Sequence, residues 1–181
     1  MKKLLLLATV IPVLATTVAH AQPQKGDWLL GAKINPAAIK TGYFISNRSV
    51  IGVDLSGNFS YQPQGKDLNF NIGADATFRH YFAPESGMQP RKFYWFGDVN
   101  AGYQFHYGYS YATSSGVNSG LYRAGLAPGL AYFVNDRISI DAALRTNLIG
   151  NFSRNWSHLN AHPEFGVQVY LRGKKKPAKA E

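Results

Sequence analysis

The chain has 181 residues, of which 45% are apolar, 14% aromatic and only 16% charged. It is too aromatic and too charge-poor to be disordered, and it lacks the Ala, Glu, Lys and Leu excess of a coiled coil. With no cysteine, it has no disulfide framework, thiolate metal site or Cys nucleophile.

Residues 1–21 read as a secretory signal peptide. Lys2 and Lys3 open it, Leu4 to Val18 is apolar, and Ala19-His20-Ala21 offers the small residues of a cleavage site before Gln22. The apolar stretch falls short of the roughly 20 residues a spanning helix needs. The net charge is +9, but once the signal and the basic end are set aside, residues 22–171 keep twelve basic and nine acidic side chains. The excess is a tail effect and argues against a nucleic-acid partner.

From there the period is two. Ile51, Val53, Leu55, Phe59 and Tyr61 alternate with Gly52, Asp54, Ser56, Asn58 and Ser60; Leu68 to Phe78, Phe93 to Phe105, Ile138 to Leu148 and Phe165 to Leu171 repeat the pattern. Eight strands are expected, at about 27–35, 38–46, 50–61, 67–82, 91–107, 120–133, 137–149 and 162–172. They are longer than the ~5–6 residues of ordinary strands and match the ~9–11 of a tilted membrane-spanning strand. The expected fold is all-β: an eight-stranded antiparallel up-and-down transmembrane barrel over 22–172, with a basic periplasmic tail at 173–181. Closure would leave no unpaired edge.

Aromatics on the apolar parity fall into two groups. Trp28, Tyr43, Phe82, Phe93, Trp95 and Tyr132 would ring one end, and Phe59, Tyr61, Phe70, Phe105, Tyr107 and Tyr122 the other. Two belts flanking an aliphatic middle suit two membrane interfaces. The connections after Phe44 and Phe133 are short, as periplasmic turns are. Residues 109–119 and 150–161, rich in Ser, Asn, Tyr and Gly, would be long surface loops able to meet a ligand. Both termini would be periplasmic.

The segments GDWLLGAKI, TGYFISNRSVIGVDL, APGLAYFVNDRISIDAAL and FGVQVYLRG together resemble the small outer-membrane β-barrel domain family, the group of outer membrane protein A and the opacity-type barrels. The resemblance covers nearly the whole mature chain and implies a Gram-negative outer membrane, lipid and lipopolysaccharide around the barrel, and insertion by the barrel-assembly machinery. Such barrels often end on an aromatic residue; here Leu171 takes that place. The tail is too short for a peptidoglycan-binding domain.

The polar parity collects Lys33, Lys40, Arg79, Arg123 and Arg145 against Asp54, Asp75, Asp98, Asp141 and Glu164. Five cations facing five anions predict a paired network filling a narrow lumen. That points to a non-enzymatic structural or surface-interaction barrel, with a small-solute channel as the alternative. A lipid A-modifying enzyme is a third reading, but adjacent Ser157 and His158 would point to opposite faces of a strand. His158 and His162 would align for a metal only on a helix. No cofactor is expected.

Overall fold

The computed structural model describes residues 23–35, 37–62, 67–84, 88–90, 92–110, 115–151 and 156–173. The expected signal peptide at 1–21 and the tail from 174 to 181 lie outside the described residues.

The strands are β1 (Trp28–Ile34), β2 (Ala38–Phe44), β3 (Ser49–Gln62), β4 (Asp67–Tyr81), β5 (Phe93–Ser110), β6 (Ser115–Asn135), β7 (Ile138–Asn151) and β8 (Trp156–Leu171). Each pairs antiparallel with the next, and β8 pairs with β1 to close an eight-stranded barrel. The alternation in the sequence becomes an alternation of faces. In β1 the odd residues Leu29, Gly31 and Lys33 are buried while Trp28, Leu30 and Ile34 are exposed. The short turns use local hydrogen bonds: Ile45 N–H donates to Ser49 O at 3.0 Å, and Arg137 N–H donates to Asn135 Oδ1 at 2.8 Å. Asn35, in the β1–β2 turn, takes a left-handed φ of 60°, which Asn tolerates better than most residues.

Stepping across ladder partners from Trp28 leads through Tyr43, Ile51, Phe78, Val99, Leu126 and Thr146 to Ala161. Trp28 itself pairs with Leu171, so the circuit climbs ten residues, from 171 to 161. That stagger tilts the strands by about 40° and gives about 2.5 Å of height per residue.

Two expectations change. Of residues 109–119 and 150–161, those described are ladder rather than loop: β5 and β6 stay paired to Ser110–Ser115 and β7 and β8 to Asn151–Trp156, while 111–114 and 152–155 lie outside the described residues. Beyond an apolar band a strand needs no apolar face, so its composition turns loop-like while its backbone bonds continue. Nor is the wall closed along its whole height. The β1–β2 hairpin turns back at residues 35–37, whereas β3 runs on to Gln62 and β8 reaches up to Trp156. Above the short hairpin, among the described residues, both flanking strands present an open edge.

Candidate functional site

The interior is layered. At the end of the short turns, Leu29, Phe44, Val50, Tyr81, Tyr94, Phe96, Phe133 and Tyr170 form a buried apolar floor. Phe133 stacks on Tyr170 at 5.5 Å between centroids, and Tyr81 meets Phe96 and Phe133 edge-on at 5.9 Å. Ala83 and Met88, between β4 and β5, are buried against this floor, and Gln89 N–H donates to the Tyr94 hydroxyl at 2.9 Å. Sequence reasoning missed the floor. Its signal was the doublets Tyr43-Phe44, Tyr81-Phe82 and Tyr132-Phe133, in which adjacent residues take opposite faces. One ring of each doublet points out and the other fills the mouth.

Above the floor stand the ten charged residues that the polar parity collects. All are buried, and each has an opposite charge within reach. Arg79 makes a fork to Asp98, Nη2 to Oδ2 at 2.8 Å and Nε to Oδ1 at 3.1 Å, and its Nη1 donates to Asp141. The same guanidinium lies 3.9 Å over the Phe96 ring, joining the network to the floor. Lys40 Nζ donates to Asp98 at 3.0 Å, and Arg145 lies 3.6 Å from that carboxylate. Ser139 Oγ donates to Asp141 at 2.9 Å and shares a hydrogen bond with the Tyr170 hydroxyl at 2.7 Å.

One layer higher, Arg145 Nε donates to Glu164 at 2.5 Å and its Nη1 to Asn100 at 2.6 Å. Lys33 bridges Asp54 at 2.5 Å and Glu164 at 3.0 Å. Arg123 grips Asp75 with Nε at 3.0 Å and with Nη2, and reaches Gln104 at 3.3 Å. Arg123 and Asp75 sit on β6 and β4, two strands apart. Gly102 on β5 is the ladder partner of both, and a side chain there would overlap the Asp75 carboxylate. Gly125 plays the same part between Asn100 and Asn147, which bond at 3.3 Å. Glycines thus let interior side chains meet over the wall between them.

Toward the far end the lining turns to Ser56, Asn58, Asn71, Gln104, His106, Asn160 and His162, with Arg123 donating to Ser56 Oγ at 3.4 Å as well as to Gln104. His106 shares a 2.5 Å hydrogen bond with Asn71. Asp54 Oδ1, His162 Nε2 and both polar atoms of the Gln168 amide are buried without a partner among the described residues. His158 and His162 lie on one face of β8 but about 13 Å apart along the strand. No group of three His, Asp or Glu among the described residues is arranged to hold a metal ion.

The outward face carries the two aromatic sets. At one end Trp28, Tyr43, Phe82, Phe93 and Trp95 are exposed, with Trp28 against Tyr43 at 5.3 Å and Phe93 against the half-buried Tyr132 at 4.7 Å. At the other end Phe59 pairs with Phe70, and Phe70 with Tyr107; Tyr61 and Phe105 are exposed and Tyr122 half-buried. From the stagger, the two sets stand about 25–30 Å apart, close to the ~25 Å apolar band of membrane barrels.

No protein-family model matches the chain, and no curated protein does. Solved structures do. The N-terminal β-barrel domain of Pseudomonas aeruginosa OprF is similar at 14% identity with a TM-score of 0.54, covering 83% of this chain and 100% of that one. Neisserial surface protein A (NspA) is similar at 21% identity and 0.48, covering 79% and 92%. Ail, the attachment invasion locus protein of Yersinia pestis, is similar at 12% identity and 0.49, covering 82% and 100%. The closed eight-stranded topology, with the similarity to the OprF domain, gives the chain the fold of the small eight-stranded barrels that its sequence resembles.

Proposed function

We propose that the protein is a non-enzymatic barrel of a Gram-negative outer membrane, with a structural or surface-interaction role and a lumen closed by paired charges. One observation carries this reading: among the described strand side chains, every Asp, Glu, Lys and Arg faces the interior, while large apolar side chains cover the outside. Lipid outside and a polar interior account for that inversion. Lipid and lipopolysaccharide surround the barrel, and the barrel-assembly machinery inserts it after the signal peptide is removed. The short turns and the basic tail face the periplasm. A surface partner meets the raised β5–β6 and β7–β8 hairpins, the ladder that occupies most of 109–119 and 150–161.

Passage through the lumen is opposed twice, by the aromatic floor and by the Arg79–Asp98 layer above it. In a planar bilayer the protein is expected to show no steady conductance. Stable ion-selective openings would overturn the closed lumen and favour a small-solute channel. Lipid A mass spectra that do not change on expression are expected of a non-enzymatic barrel; new species would contradict it.

A further inference from the structure

The β1–β2 hairpin ends well below the rest of the far rim. On the scale set by the stagger, its turn stands about 18 Å above the Trp28 belt, whereas Phe59, Phe70 and Phe105 stand at about 26–29 Å. Among the described residues, the last bonds joining it to its neighbours are Gly57 N–H to Ala37 O, at 3.4 Å, and Asn35 Nδ2 to Pro163 O, at 3.0 Å. Above these, β3 pairs only with β4 and β8 only with β7 among the described residues. Every residue of 57–61 and of 157–161 is exposed, on both faces of its strand. The wall therefore has a notch two strands wide, about 14 Å between β3 and β8. Its lower part lies below the far aromatic belt, within the apolar band.

Unpaired backbone edges in hydrocarbon are costly unless polar groups meet them. The notch is built to admit something from the side. Its outward flanks are the small residues Gly57 and Ala161 at nearly equal height. Behind it the lumen is lined by hydrogen-bonding groups, Ser56, Asn58, Asn160 and His162, with Arg123 donating to the Ser56 hydroxyl at 3.4 Å. At the floor of this vestibule Asp54 is only 2% exposed; its Oδ2 pairs with Lys33, while its Oδ1, and His162 Nε2 on the opposite flank, have no partner among the described residues. Arg123 is already engaged by Asp75, Gln104 and Ser56, so the charged atom left unpartnered among the described residues is Asp54 Oδ1; a carboxylate oxygen repels a phosphate and accepts from a hydroxyl. Amides and a hydroxyl match a polyhydroxyl group in the same way.

Resting on the outer-membrane reading above, we propose that the notch is a lateral portal through which the sugar headgroup of an outer-leaflet glycolipid enters the upper lumen. Its acyl chains stay outside, between Gly57 and Ala161.

The test is solution NMR of the full mature barrel in dodecyl maltoside and, separately, in dodecylphosphocholine. Cross-peaks from the maltoside ring protons to the side-chain amides of Asn58 and Asn160 are expected. They should disappear in Gly57→Trp and in Ala161→Phe, which narrow the slot from outside without touching the lumen, and weaken several-fold in Asp54→Asn. Absence of the sugar cross-peaks in the wild type, or their persistence in both narrowed variants, would overturn the portal. Equal cross-peaks from choline protons would overturn the sugar preference. Cross-peaks from detergent acyl chains to Ile140 and Leu144 report separately on the membrane reading, so failure of one is not mistaken for failure of the other.

Discussion

Asp98 is the hub of the interior network, and Asp98→Asn tests what holds it. The carboxylate is buried, with Arg79 at 2.8 Å, Lys40 at 3.0 Å and Arg145 at 3.6 Å. Asn keeps the shape and one acceptor oxygen but removes the charge that three cations share. Asp141 and Glu164 still pair with Arg79 and Arg145; Lys40 loses the only partner found for it among the described residues. Breaking a buried pair by removing one partner costs about 3–5 kcal/mol. With a urea slope of about 2 kcal/mol/M for a chain of this size, the unfolding midpoint in vesicles should fall by about 1.5–2.5 M. Trp28 and Trp95, exposed on the outward face, report unfolding by fluorescence. Adding Lys40→Met should recover about 1–2 kcal/mol, because the orphaned ammonium goes too, and a double-mutant cycle isolates that coupling. A midpoint within about 0.3 M of wild type, or purely additive variants, would refute the network as a source of stability.

Other consequences follow from the two faces. Leu144→Arg puts a cation at mid-height on the outward side and should cost about 2–4 kcal/mol of insertion free energy; Asn160→Arg, in the open vestibule, should be tolerated, as folding yields in vesicles will show. Gly102→Val must displace the Asp75 carboxylate from Arg123 and should lower stability by about 1–3 kcal/mol, read from the same urea titration. Phe133→Ala opens the floor and should cost about 3–5 kcal/mol, with periplasmic-side access of a thiol reagent to a cysteine placed at Ser139 as the independent readout. The folded protein should resist detergent and change its gel mobility on boiling, because most of its ladder is closed on itself; equal mobility before and after would contradict that.

Much of this architecture is legible in the chain itself, for one physical reason. Side chains of a strand alternate faces, so Asp75, Thr77 and Arg79 must share a side, as must Ala74, Ala76 and Phe78. The members of the charge set follow from parity alone. Their partners do not, because partnership depends on the ten-residue stagger, and stagger is a property of closure that no single strand carries. Arg123 finds Asp75 two strands away only because Gly102 lies between them, a relation between three distant segments. The floor was hidden in the aromatic doublets, whose inward rings, Phe44, Tyr81 and Phe133, look like interface residues until the strand ends are placed. The raised hairpins were hidden for the opposite reason: outside an apolar band, Tyr, Ser and Gly can form ladder without leaving an amphipathic trace. The low β1–β2 hairpin could have been noticed from the brief interval between Lys33 and Lys40, but its meaning appears only beside the longer strands around it.

Site-directed spin labelling along β7 tests the central assignment of faces most directly. Nitroxides placed in turn at residues 140 to 148 of the reconstituted barrel should show accessibility to oxygen that alternates with period two. It should be high at Ile140, Ala142, Leu144 and Leu148, with a maximum near Leu144, and low at Asp141, Ala143 and Arg145. A profile without alternation, or one in which the outward positions are open to a water-soluble nickel chelate and closed to oxygen, would contradict a barrel that turns this face to lipid.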